Sequence, residues 1–314
     1  MDVTAQFMKV PSFGELEYSD CALCGAPDGE LVVEQHMFGE DFRVVRCTSC
    51  GLIRTNPRPT PEWKRHFYDP DCNGYAESQG RDFIYAPDPN RLPGYARLLE
   101  LIHSYCADGS KLLDVGCASG LFVHEAIRSG FDAVGCDCSA NAVAWGRRQF
   151  GVEIICCPAE ALIAPDGEYD VITLLHVFEH LPDPLGVLRE MRRILKPGGI
   201  LILETVNYTA HYQMEERLRF LIPLYNLVTH RQGLPWVPFD HVYQWSPEPL
   251  RRAMREAGFN EIELHHLWGY RSEGMPSHVF SWTYTASEVV MAAIRKVSSG
   301  RLDLWPVLLT TGRK

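Results

Sequence analysis

Long hydrophobic runs are missing from this chain of 314 residues. Even "FLIPLYNLVT" at 220–229 falls well short of the roughly 20 apolar residues that a membrane-spanning helix needs, so no membrane partner is expected. The opening "MDVTAQFMKVPSFGELEYSD" lacks a charged segment followed by an apolar one, the pattern of a secretory leader. Positive charge is scarce too: 30 Lys and Arg stand against 40 Asp and Glu, a net charge of −10. Broad contact with nucleic acid, which depends on neutralising phosphates, is therefore disfavoured. There is no internal repeat, no low-complexity run and no G-x-G-x-x-G turn. What remains is ordinary globular composition, 46% hydrophobic and 22% charged, in a length that holds one large α/β domain with a small appendage or two modest domains. Eleven cysteines without a leader indicate a reducing compartment, where thiols bind metal or pack in cores. The expected location is cytoplasmic.

Four of those cysteines are paired. "CALCG" (21–25) and "CTSCG" (47–51) each set two cysteines three positions apart and follow them with glycine. Two such turns complete a tetrahedral four-thiolate site, so Cys21, Cys24, Cys47 and Cys50 are the candidate ligands of a structural Zn²⁺. The stretch between them alternates like a short hairpin, giving a zinc ribbon over residues 1–60. Four unrelated structural thiols are the alternative, and the repeated spacing disfavours it. Cys117 and Cys138 lack such spacing but fall near the expected ligand edge. Residues 61–90 are dense in Pro, Asp, Asn and aromatics, and read as a linker or lid.

From residue 91 helical and strand patterns alternate, predicting a doubly wound, mostly parallel sheet whose ligands gather at the strands' carboxyl ends. Its first strand runs into "KLLDVGCASG" (111–120), a tight turn with glycines at Gly116 and Gly120. Ala118 stands where a dinucleotide fold has the glycine that admits a pyrophosphate, so a nucleoside-like ligand without pyrophosphate is expected. The second strand ends in Asp137, able to accept hydrogen bonds from both ribose hydroxyls, while Ser139 is the better cap for the following helix. The third runs into "CCPAEAL", where Ala159 and Glu160 border an adenine pocket. The fourth runs into "LLHVFEHLPDP", which crowds His176, Glu179 and His180 at the sheet edge.

"LLDVGCASG", "VGCDCS", "PAEAL", "YDVITLLHVFEHLPDP" and "LKPGG", in this order and spacing, resemble the class I, Rossmann-like S-adenosylmethionine-dependent methyltransferases, close to the small-molecule O-methyltransferases. The likeness covers residues 91–267 and the closing strand "PVLLTTGRK"; the ribbon resembles that of methyltransferases acting on sugars or secondary metabolites. It implies S-adenosyl-L-methionine as cofactor. Backbone around Gly116, Cys117 and Ala118 would hold its amino acid end, with Asp114 facing the ammonium. Asp137 would take the ribose, and Ala159 and Glu160 would sit by the adenine. Pro158 departs from the family, many of whose members carry an acid there.

Methyl transfer to a hydroxyl requires alignment and removal of a proton. His180 is the first candidate for the base and His176 the second, whose position also allows cofactor contact. Glu179 would orient a histidine or help hold a divalent cation, although His176 stands where related quinone-pathway enzymes have an acid, so no catalytic metal is included. His241, in "HVYQWSPEPL", would face the substrate. Insertions at about 207–245 and 268–300 within the 91–314 domain would select the acceptor, with Tyr208, His211, Tyr212 and Trp236 as pocket walls. The expected function is methyl transfer to a small-molecule hydroxyl on a secondary metabolite or saccharide precursor. The alternatives are N- or C-methylation, then RNA methylation, then a non-catalytic, cofactor-binding partner subunit.

Overall fold

The computed structural model describes residues 16–27, 29–37, 40–62, 91–208, 241–265, 296 and 307–314. The linker or lid from residue 63, the aromatic segment 209–240 with His211, Tyr212 and Trp236, and nearly all of the second insertion lie outside them.

The ribbon begins with β1 (Leu16–Glu17), β2 (Gly29–Met37), β3 (Glu40–Cys47), β4 (Ile53–Thr55) and β5 (Arg58–Pro59). β2 and β3 form the expected hairpin, and β3 returns into β4 through a turn that holds Cys47 and Cys50.

The core follows as α1 (Leu92–His103), β6 (Lys111–Val115), α2 (Leu121–Arg128), β7 (Asp132–Asp137), α3 (Ala140–Phe150) and β8 (Ile154–Cys156). After a short 3₁₀ turn at Ala159–Ala161 come β9 (Tyr169–Leu175), a second 3₁₀ turn at Phe178–His180, α4 (Pro184–Ile194) and β10 (Leu195–Val206). β11 (Tyr243–Gln244), α5 (Pro247–Glu256), β12 (Asn260–His265) and β13 (Val307–Arg313) complete it. The large sheet has the order β12-β13-β10-β9-β6-β7-β8. β6 to β10 pair in parallel, and β13 runs antiparallel between β10 and β12. Leu112, Leu113, Val171, Ile172, Leu201 and Ile202 are buried, as strands covered by helices on both faces require.

Local chemistry sets the helix starts. Ser139 Oγ accepts the N–H of Ala142 at the head of α3, as expected, and Asp183 accepts that of Gly186 at the head of α4, with Pro184 in the first turn. "KPGG" differs from the simple turn expected between helix and strand. Leu195 already pairs with Tyr169 and the ladder resumes at Ile200 opposite Val171, so the four residues form a bulge inside β10.

The ribbon also does not stand apart from the core. β11 extends its sheet in the order β11-β4-β3-β2, and Cys21, Leu23, Cys47 and Leu52 share one buried cluster with Leu113, Phe178 and Trp245.

Candidate active site

The order of strands reverses between β6 and its neighbours β7 and β9, which opens a crevice at their carboxyl ends. The turn after β6 forms one wall. Gly116, Ala118 and Gly120 all have positive φ, at 75°, 49° and 72°. A Cβ on Gly116 would lie 2.3 Å from Val177, and one on Gly120 2.9 Å from Val152 and Ile154. The glycines thus serve the turn and its packing against protein. The Gly116 and Cys117 N–H groups donate to the Cys136 carbonyl, Ala118 N–H donates to Asp137 Oδ2 at 2.8 Å, and Gly120 N–H donates to the Cys117 carbonyl. With these four donors consumed internally, the turn is a poor cradle for an anion and suits a cationic group beside Asp114. Cys117's thiol is buried against Gly135 and Val123, which leaves only its backbone for a ligand.

Asp114 is buried at the end of β6 and accepts a 2.7 Å hydrogen bond from Thr173 Oγ1. Burial pushes its carboxyl up, Thr173 opposes and the charge of Asp137 adds, leaving it at about 7. Asp137, at the end of β7, also accepts the Ser139 N–H at 2.8 Å. It is therefore more tied to backbone than the helix-cap argument implied. Two donors occupy about half the acceptor capacity of a carboxylate, which leaves room for a pair of ribose hydroxyls. Ala159 is half-buried and Glu160 exposed on the 3₁₀ turn after β8; Cys138 is exposed beside Asp137.

The opposite wall is the end of β9. His176 has φ of 57°, its N–H donates to the Glu204 carbonyl, its Nε2 lies 2.9 Å from Glu204 Oε1 and its Nδ1 lies 3.4 Å from Glu179 Oε1. Burial alone would depress this imidazole, but the two carboxylates hold it up at about 10. With each ring nitrogen turned toward a carboxylate, the arrangement favours the imidazolium and disfavours His176 as the base. Burial would raise Glu179, yet the hydrogen bond from His176 and the histidines around it bring it down to about 2. Glu179 is an anchored carboxylate, with Oε2 accepting from Thr205 Oγ1 at 2.9 Å.

His180 and His241 come together from distant parts of the chain. Their rings meet edge to face with centroids 4.6 Å apart, and His241 Nδ1 lies 2.8 Å from the hydroxyl of buried Tyr208. Glu179, His180 and His241 each offer an atom within 4.8 Å of the others, a set able to grip a divalent cation.

In the ribbon, Cys21 Sγ lies 3.4 Å from Cys50 Sγ and Cys24 Sγ 3.5 Å from Cys47 Sγ, with all four sulfurs within 4.8 Å of one another. The Gly25 and Gly51 N–H groups return to the Cys21 and Cys47 carbonyls, and both glycines have positive φ. Two such knuckles fit a tetrahedral Zn²⁺. Against burial, the Cys50 and Ser49 N–H groups lower the Cys47 thiol, while burial raises those of Cys21 and Cys50, which a bound cation would draw to thiolate.

Glu204, Thr205 and Thr173 escaped the sequence reading. Their signal was present as an acid and two hydroxyls inside the apolar strands "ILILETV" and "YDVITLL". Among the described residues, no helix is long and apolar enough to cross a membrane.

The chain matches the family model described as "Methyltransferase domain" over residues 90–264. The ubiquinone biosynthesis O-methyltransferase of Cereibacter sphaeroides is 29% identical over 189 residues, covering 57% of this chain and 69% of that protein. The protein of the same name from Thiobacillus denitrificans is 30% identical over 163 residues, covering 50% and 67%. Among solved structures, the 1,6-didemethyltoxoflavin-N1-methyltransferase of Burkholderia thailandensis, with bound S-adenosylhomocysteine, matches with a TM-score of 0.51 at 14% identity over 90% of this chain and 99% of that one, a likeness of fold. The family match spans more than half the chain and coincides with the reversing sheet and its crevice: this chain belongs to the class I S-adenosylmethionine-dependent methyltransferases.

Proposed function

We propose that the chain methylates a hydroxyl of a small molecule, with His180 as the base and zinc as a structural ion in the four-cysteine ribbon. The observation that carries this is the meeting of His180, just after β9, with His241, just before β11, beside the buried carboxylate of Glu179. The O-methyltransferase relatives support a hydroxyl acceptor.

S-adenosylmethionine supplies a methyl group on a positively charged sulfur, a strong electrophile with a good leaving group. Asp137 binds the ribose hydroxyls, Ala159 and Glu160 border the adenine, and Asp114 with the turn backbone holds the ammonium. His180 accepts the acceptor's hydroxyl proton as the new O–C bond forms. His241, steadied by Tyr208, orients the acceptor against it.

A second reading rests on the ligand atoms of Glu179, His180 and His241. A divalent cation there would bind the acceptor oxygen and lower its pKa in place of a histidine base. The test is transfer of labelled methyl to a panel of phenols, catechols and sugars, with and without chelator and added Mg²⁺ or Mn²⁺. Under the base reading, turnover survives mild chelation and falls about 10²- to 10⁴-fold in His180→Ala. Loss of turnover on chelation and its return with metal would favour the cation; transfer only to amines would overturn the hydroxyl assignment.

A further inference from the structure

The ribbon holds His241 by its own carbonyl and the loop of His180 by the carbonyl of Pro182. Thr55, buried at the end of β4, donates its N–H to the Val242 carbonyl at 2.9 Å and its Oγ1 to the His241 carbonyl at 3.0 Å. Gln244 Nε2 donates to that same His241 carbonyl at 3.0 Å and to Thr55 Oγ1 at 3.3 Å. On the other side, Arg58 Nη1 donates to the Pro182 carbonyl, two residues after His180, and to Tyr243 Oη, both at 3.1 Å. Tyr243 Oη donates to the Pro182 carbonyl as well. The Val242 N–H reaches the Glu179 carbonyl at 2.9 Å, so the two loops are also stitched to each other.

These contacts lead directly to the four-cysteine site. The turn joining β3 to β4 contains Cys47 and Cys50, and β4 begins three residues after Cys50. Arg54, fully buried in the middle of β4, donates to the Pro27 carbonyl just beyond the first knuckle. β4 is therefore fixed by both knuckles along its length and presents its far edge to β11.

We infer that the ribbon is a template for the active site, in which Thr55 and Arg58 are positioning residues that set His241 and His180 relative to each other. The inference rests on the reading of those histidines as the acceptor-side pair. A backbone hold of this kind matters because misplacing a reacting group by a fraction of an ångström lowers turnover without weakening cofactor binding.

The test is a double-mutant cycle in the zinc-loaded full chain, read by methyl-transfer kinetics, S-adenosylmethionine affinity and the NMR resonances of the His180 and His241 rings. Thr55→Val and Arg58→Met should each lower kcat about tenfold with cofactor affinity unchanged, and shift the ring resonances. Thr55→Ser, which keeps the hydroxyl, should restore both. In a His241→Ala background Thr55→Val should lower kcat no further. Should Thr55→Val fail to fold, Gln244→Leu removes the second donor to the same carbonyl and is read in the same way. An equal loss from Thr55→Val with or without His241, or ring resonances that stay in place in both ribbon variants, would overturn the template. Full turnover by His241→Ala alongside shifted rings would instead overturn the catalytic reading of His241 and leave the positioning intact.

Discussion

His176 and Glu204 meet at 2.9 Å across the carboxyl ends of β9 and β10, with the second nitrogen of the same ring 3.4 Å from Glu179. One imidazolium thus answers two buried carboxylates. Removing it leaves both uncompensated, so His176→Ala should lower unfolding stability by about 3 kcal/mol, the low end for a broken buried pair because the ring is one-third exposed. The sign with pH follows from the raised pKa: the stabilisation is fully present below the unfolded value near 6.5 and is lost as pH rises through about 10. Urea titrations at pH 7 and pH 10 should show the variant's deficit shrinking at the higher pH.

Asp114 should make cofactor affinity depend on pH. Its carboxyl, held at about 7, favours the protonated form in the free protein, so its contribution to stability is present at acid pH and lost as pH rises through 7. A bound ammonium favours the ionised form. Affinity for S-adenosylmethionine should accordingly rise up to about tenfold per pH unit below 7 and turn down again as the cofactor's own amino group loses its proton near about 8. Asp114→Asn should remove that slope, measured by calorimetry between pH 5.5 and 8.5.

The four-cysteine site should behave as part of the core. Since Cys21 and Cys47 lie in the same buried cluster as Phe178 and Trp245, loss of metal should lower the melting temperature of the whole chain in one transition. Cys47→Ser with metal content measured by atomic emission, beside a calorimetric melt, checks this. A separate low-temperature transition confined to the ribbon would contradict it.

The sheet was legible because β6, β7, β9 and β10 each carry an apolar run ended by a turn signal, and the ligand crevice follows from their order. The ribbon was legible from cysteine spacing. Two things were not. His176 and His180 look alike in "HVFEH"; Glu204, which arrives from another strand, is what gives His176 a second carboxylate partner. The hold of Thr55 on His241 joins residues 186 positions apart, a relation that no local pattern carries.

The most direct test of the account is calorimetric titration of the zinc-loaded protein with S-adenosylmethionine, beside Asp137→Ala. That carboxylate would lend charged hydrogen bonds to the ribose and also holds the Ala118 and Ser139 N–H groups. The intact protein should bind one equivalent, and the variant should bind at least about 100-fold more weakly. Equal affinity in both proteins, or no binding by the intact chain, would contradict the assignment of this crevice to the cofactor.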